Sequence, residues 1–216
     1  MNGRTELLRK IKDEIADAKN SPLYDFRIKN KFFPVIGEGN HYAKIMFIGE
    51  APGKNEALTG RPFCGAAGKI LDELLNFAEI GRNDVYVTNI VKDRPPFNRD
   101  PLPEEIEFYA PFLNRQIEII KPEVIATLGR FSMAYIMEKF GFESELKSIS
   151  IIHGKIFIAS APWENEAERS PVPSRKSGAG AWVKIIPLYH PAVAIYNNNT
   201  MEILKKDFEI LKEFVK

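Results

Sequence analysis

Cysteine is almost absent. The 216-residue chain holds one, Cys64, which excludes an internal disulfide, a four-cysteine zinc site and an iron–sulfur cluster held by four thiolates of a single chain. A charge of one sign is absent too. Thirty basic and 29 acidic residues leave a formal net charge of +1, so any contact with nucleic acid has to be a local patch. No run of eighteen apolar residues occurs, and the first nineteen positions mix Arg4, Glu6, Lys10, Asp13 and Glu14 with their hydrophobics. Neither a membrane span nor an apolar signal region is expected, which predicts a soluble, intracellular protein without a membrane partner. What the chain does have is core material. Hydrophobic residues make up 44%, enough for one globular domain over residues 1–216.

Leu7, Leu8, Ile11, Ile15 and Ala18 recur at helical spacing before Asn20-Ser21-Pro22, predicting an amphipathic helix over residues 3–19. Residues 43–48 form an apolar run that ends at Gly49, as a buried strand emptying into a loop would. Residues 85–91 predict a second strand. Between them, residues 66–79 place Ile70, Leu71, Leu74, Leu75 and Ala78 on one helical face, completing a βαβ unit. Helix 103–120, strand 123–128, helix 131–140, strand 184–189 and helix 200–215 continue the alternation. The fold class is therefore α/β: a single domain with a central four-stranded parallel sheet and helices on both faces. Sheets of this kind bind ligands beyond the carboxyl ends of their strands, which directs attention to the loops after Ile48, Val91, Leu128 and Tyr189. Residues 161–182, rich in proline, glycine and serine, read as an insertion between two strands.

The first of those loops runs Gly49-Glu50-Ala51-Pro52-Gly53, then Lys54-Asn55-Glu56, and reaches Gly60-Arg61-Pro62-Phe63-Cys64-Gly65. Two glycines around a proline make a tight turn where a ligand can approach the main chain, or simply a strand-to-helix turn. The second strand ends in Thr88-Asn89-Ile90-Val91-Lys92, followed by Arg94-Pro95-Pro96-Phe97-Asn98-Arg99. An amide at a strand end offers a donor and an acceptor together, the pairing a nucleobase edge requires, although an asparagine capping a turn is the plainer alternative. The last strand delivers Tyr189-His190-Pro191-Ala192. A lone histidine is more often structural than catalytic, but His190 lies at the edge where chemistry is expected.

In their order, spacing and strand-end placement these motifs resemble the family 4 uracil-DNA glycosylases from about Gly37 onward, the insertion excepted. The resemblance implies an enzyme that flips uracil out of DNA and hydrolyses its glycosidic bond, leaving an abasic site. It implies that Phe63 stacks on the base, that Asn89 bonds its edge and that His190 donates to uracil O2 as charge develops. Glu50 would position water or stabilise the sugar cation, although relatives carry aspartate where this chain has Ala51. Glu56 would exclude the methyl of thymine, and Gly49 and Ala51 would complete the uracil pocket. Lys54, Arg61, Lys92, Arg94 and Arg99 would meet phosphates, and Tyr196 would lie on the loop that wedges into the base stack.

Members of that family hold a four-iron, four-sulfur cluster. Gap-free spacing puts its four cysteine positions at Pro22, Asp25, Asp93 and Tyr109, so the expectation is a chain with no cofactor and no metal. Arg169, Arg175 and Lys176 between Trp163 and Trp182 suggest a DNA-side flap, with a loose loop equally open. A monomer is expected, with uracil-containing DNA as its partner. The alternatives are a glycosylase for another deaminated base, a covalent uracil-DNA trap, disfavoured because residues 54–62 contain no histidine, or a catalytically silent DNA-binding homologue.

Overall fold

The computed structural model describes residues 3–161, 163, 182–196 and 198–215; for Tyr196, Asn198 and Asn199 only the backbone is described. Helices α1 (Arg4–Asp17) and α2 (Tyr24–Lys29) precede strand β1 (Glu38–Gly39). Strand β2 (Ile45–Gly49) is followed by α3 (Lys54–Thr59) and α4 (Ala66–Phe77), and β3 (Tyr86–Asn89) by α5 (Pro103–Ile120). Next come β4 (Val124–Leu128), α6 (Arg130–Lys139), α7 (Ile149–Ile152) and β5 (Phe157–Ser160). Strand β6 (Trp182–Leu188), α8 (Val193–Tyr196) and α9 (Asn198–Glu209) close the fold.

The sheet has six strands in the order β1-β3-β2-β4-β6-β5 and is mixed. This corrects the expected four-stranded parallel sheet. The inner strands β3, β2, β4 and β6 do pair in parallel, but β1 and β5 add antiparallel edges. Neither edge carries a sequence signature. β1 is two residues long, and β5 buries only Ala159 well while Ile158 and Ser160 face out.

Both faces of the sheet are covered, because alternate residues of each buried strand point to opposite sides. Met46 and Ile48 of β2 pack with Leu8, Ile11 and Ile15 of α1, with Leu113 and Ile117 of α5 and with Ile136 of α6. Ile45 and Phe47 face the other way, onto Leu71, Leu74 and Leu75 of α4 and Leu204 and Phe208 of α9.

Most of the insertion lies outside the described residues, but its roots are placed. Ser160 and Trp182 are partners in the antiparallel β5–β6 pair. Since β6 runs parallel to β4 with Leu188 beside Leu128, those roots sit at the amino end of β6, at the end of the sheet opposite the strand ends that carry His190. The flap expected around Arg169, Arg175 and Lys176 lies outside the described residues.

Candidate functional site

Strand ends build the site. Gly49 at the end of β2 is the register partner of Asn89 at the end of β3, and β6 leads through Tyr189 into His190. They converge on a cleft of about 490 Å³ lined by Glu50, Ala51, Lys54, Glu56, Phe63, Asn89, Arg99 and His190, with Pro95 and Asn98 on the side of the β3–α5 loop.

Close approach explains two glycines. A β-carbon on Gly49 would stand 2.4 Å from Asn89 Oδ1 and 2.7 Å from Phe63 Cζ, so only glycine lets both side chains enter. Gly68, inside α4, admits the carbonyl of Phe63, which a β-carbon would meet at 1.8 Å. Phe63 itself is buried in a left-handed conformation, φ 49°, a costly backbone state that persists where surrounding packing imposes it. Its ring lies 5.7 Å, centroid to centroid, from that of His190.

Asn89 is 2% exposed, and its Oδ1 has no hydrogen-bond partner among the described residues. A buried acceptor left unpaired costs roughly 1–3 kcal/mol. His190 is the complementary group. Its Nδ1 accepts the N–H of Ala192 at 3.2 Å, which puts the proton of a neutral ring on Nε2. Burial lowers its pKa to about 4, against the opposing pull of the Glu56 carboxylate, so the ring is neutral at physiological pH. Glu50 is shifted the other way. Burial, reinforced by the nearby Asp100 carboxylate and only partly offset by Arg130, raises it to about 7.

Glu56 lines the cleft, but its Oε1 also accepts the N–H groups of Cys64 at 3.0 Å and Gly65 at 2.8 Å. It therefore ties α3 to the turn that starts α4.

The cationic residues separate. Lys54 is exposed at the cleft and Arg99 lines it. Arg99 also forms a two-pronged ion pair with Glu105, at 2.5 and 2.9 Å. Arg94 donates from Nε to Asn98 Oδ1 at 2.7 Å, on the loop that borders the cleft. Arg61 pairs with Glu38 at 2.7 and 2.9 Å and does not line the cleft. Lys92 requires a correction. It is fully buried, and its Nζ donates to Thr88 Oγ1 at 2.8 Å, to the carbonyl of Asn89 at 2.6 Å and to Gln116 Oε1 at 2.6 Å. Burial pushes its amine well below the ordinary lysine value. It braces the backbone of Asn89 from inside and reaches no phosphate. The Tyr196 side chain lies outside what the structure describes.

Gly129 was not singled out by the sequence. At φ 96° it heads α6, and a β-carbon there would stand 3.2 Å from His190 Cβ. The strand-end rule pointed to the loop after Leu128 without picking a residue in it. Asp100, on the loop before α5, and Arg130, the first residue of α6, bias Glu50, and spacing gives no sign of their proximity.

The positions expected to hold a cluster carry side chains of other chemistry. Pro22 and Asp25 are exposed, and Asp93 and Tyr109 are buried. Tyr109 donates its hydroxyl to Asp93 Oδ2 at 2.6 Å, and Ser21 Oγ lies 2.6 Å from the same hydroxyl oxygen. The Arg27 guanidinium stands 3.6 Å from Asp93 and donates to the carbonyls of Ile15 at 3.1 Å and Ala16 at 2.8 Å. Burial lifts the Asp93 carboxyl to about 6, against the Tyr109 hydroxyl and Arg27. Hard oxygen and nitrogen groups already bonded to one another do not fit an iron–sulfur cluster, which requires soft thiolates. Among the described residues, no group of three His, Cys, Asp or Glu could hold a metal ion.

A sequence profile described as the uracil DNA glycosylase superfamily matches residues 36–215. The type-4 uracil-DNA glycosylase of Sulfurisphaera tokodaii is 42% identical over 207 residues, 95% of this chain and 84% of that protein. That of Archaeoglobus fulgidus is 41% identical over 208 residues, 96% of this chain and 93% of its own length. That of Thermotoga maritima is 35% identical, covering 100% of this chain and 98% of its own. With the profile spanning most of the chain and these relatives aligned over at least 95% of it, the chain belongs to the uracil DNA glycosylase superfamily.

Proposed function

We propose that the chain excises uracil from DNA as a base excision repair glycosylase, hydrolysing the N1–C1′ bond and releasing free uracil and an abasic site. The observation that carries this reading is the unpaired, buried Oδ1 of Asn89 at the wall of a cleft shared with Phe63 and His190. Uracil presents an N3–H donor beside an O4 acceptor. The Asn89 carboxamide answers with Oδ1 and Nδ2, whereas cytosine offers an acceptor at N3 and a donor at N4 and would face like against like. Phe63 is the stacking surface for the extruded base.

His190 acts as a neutral donor. Its Nε2–H is fixed by the bond that Nδ1 accepts from Ala192, so it can meet uracil O2 as the leaving base takes the electron pair of the breaking bond. Water then adds at C1′ and gives up a proton, and the departing uracil anion takes one up, so that neutral uracil is released. Glu50 is the residue assigned to orient that water or stabilise the sugar cation, and a pKa near 7 leaves a useful carboxylate fraction at physiological pH. Glu56 is assigned to the C5 side of the base, with Gly49 and Ala51 completing the pocket. Lys54, Arg94 and Arg99 are the phosphate contacts favoured by position at the rim, with Arg61 more remote.

The chain is further read as a variant of the type-4 group in which the Ser21–Tyr109–Asp93–Arg27 network stands where relatives carry a cluster. It is read as one domain, supported by a single sheet that both cores share. It is further read as a monomer working inside the cell on uracil-containing DNA. No helix among the described residues is long and apolar enough to cross a membrane.

The test is incubation with an oligonucleotide carrying a single uracil, followed by alkaline cleavage of abasic sites. Strand scission in wild type and its depression in Asn89→Asp, with some cytosine release, are expected. Excision by Asn89→Asp at the wild-type rate would remove Asn89 from base selection.

A further inference from the structure

The loop from Arg94 to Arg99 contains a feature that base recognition does not use. Phe97 is 94% exposed. It occupies a left-handed conformation, φ 57° and ψ 17°, and Asn98 beside it has φ 56°. A bulky residue at positive φ is strained, and a phenylalanine ring in water forgoes the burial that makes it favourable. Two local costs at one position point to a role, provided that something holds the loop in place.

Several contacts hold it. Pro95 and Pro96 restrict the approach. Arg94 Nε reaches across to Asn98 Oδ1 at 2.7 Å, and the N–H groups of Asn98 and Arg99 donate to the carbonyls of Pro95 and Pro96 at 3.2 and 3.1 Å. On the far side Arg99 is clamped by Glu105, which also accepts the N–H of Leu102 at 2.8 Å. The ring is thus presented on a braced turn, and its neighbours Pro95, Asn98 and Arg99 line the uracil cleft. Arg94 and Arg99 put cationic groups on the same short segment, next to where a phosphodiester backbone entering the cleft would run.

We propose that Phe97 stacks on the face of a DNA base next to the extruded uracil, a DNA-positioning contact separate from the cleft's own recognition of the flipped base. This rests on the reading of the chain as a uracil-DNA glycosylase. Aromatic faces accept any base, so the contact adds affinity without sequence preference. The bracing explains why a strained turn is useful, since a ring already fixed in place loses little conformational freedom on binding.

The experiment uses the full chain and duplex oligonucleotides with one uracil flanked by the fluorescent base 2-aminopurine, alongside an undamaged single strand containing the same fluorophore. Phe97→Ala is expected to weaken binding to both DNAs about tenfold and to suppress the 2-aminopurine response, with Phe97→Trp restoring both. Phe97→Gly should bind as poorly as alanine yet raise the melting temperature, because glycine accepts the left-handed turn. A ring that merely supported the fold would lower the melting temperature when removed. Wild-type affinity and fluorescence in Phe97→Ala would overturn the proposal, as would a loss of stability or a change of oligomeric state at unchanged DNA affinity. Failure of wild type to release uracil from any oligonucleotide would instead sink the functional reading, while the undamaged strand would still decide whether Phe97 stacks on bases.

Discussion

Two polar regions lie a few residues apart along the same stretch of chain, and they are built on opposite plans. At the end of β3, Asn89 faces the cleft with an acceptor that nothing among the described residues satisfies. Three residues later Lys92 is saturated from inside by Thr88, the Asn89 carbonyl and Gln116, and Asp93 opens the chain of bonds through Tyr109 to Ser21 beside Arg27. The interior network is largely closed, although Asp93 Oδ1 and Arg27 Nε lack hydrogen bonds. The contrast separates binding from support: a polar group left unpaired in an open cleft is available to a ligand, and one paired in the core holds segments together.

Arg27→Ala should show the largest effect. It leaves Asp93 without its cation and releases the carbonyls at the end of α1, a loss of about 3–5 kcal/mol when one partner of a buried pair is removed. Urea unfolding would measure this, and uracil excision per folded molecule should stay near wild type. A drop in excision beyond the drop in folded fraction would break the separation. His190→Ala should do the reverse, slowing single-turnover excision by about 10²–10³ while shifting the unfolding midpoint little and leaving affinity for uracil-containing DNA nearly intact. Loss of affinity without loss of rate would make His190 a DNA contact.

The smallest effect concerns pH. His190, with a pKa near 4, is already neutral above about pH 5 and should add no step to the rate profile above that point. Glu50, raised to about 7, should add one. If its carboxylate is the working form, the single-turnover rate falls as pH drops through 7, approaching tenfold per pH unit below it. Glu50→Gln should be slower and flat over that range. A wild-type profile flat from pH 5 to 8 would remove Glu50 from the chemistry.

Local periodicity made much of the fold legible. The helix expected over residues 103–120 is α5 (Pro103–Ile120), and the expected strands recover the four inner strands with shifts of a few residues. Those segments carry their burial in their own sequence. The edge strands β1 and β5 do not, because each borrows its hydrogen bonds from a neighbour already in place. In the site, Asn89 and His190 stood out because each sits at or just past a strand end, whereas Phe63, between α3 and α4, stood out only through the resemblance of its motif.

Lys92 shows where that reasoning stops. By sequence it is a lysine beside a binding loop, indistinguishable from Lys54. Only the packing of β3 against α5 turns it inward, where three acceptors surround it. The same holds for Tyr109, Asp93, Ser21 and Arg27. The sequence by itself determined that no set of thiolates exists, that strands and helices alternate, and which strand ends carry an amide and a histidine. Whether a polar side chain serves a ligand or the core was decided by tertiary structure alone, since burial and partners come from elements brought together by folding, 88 residues apart for Ser21 and Tyr109.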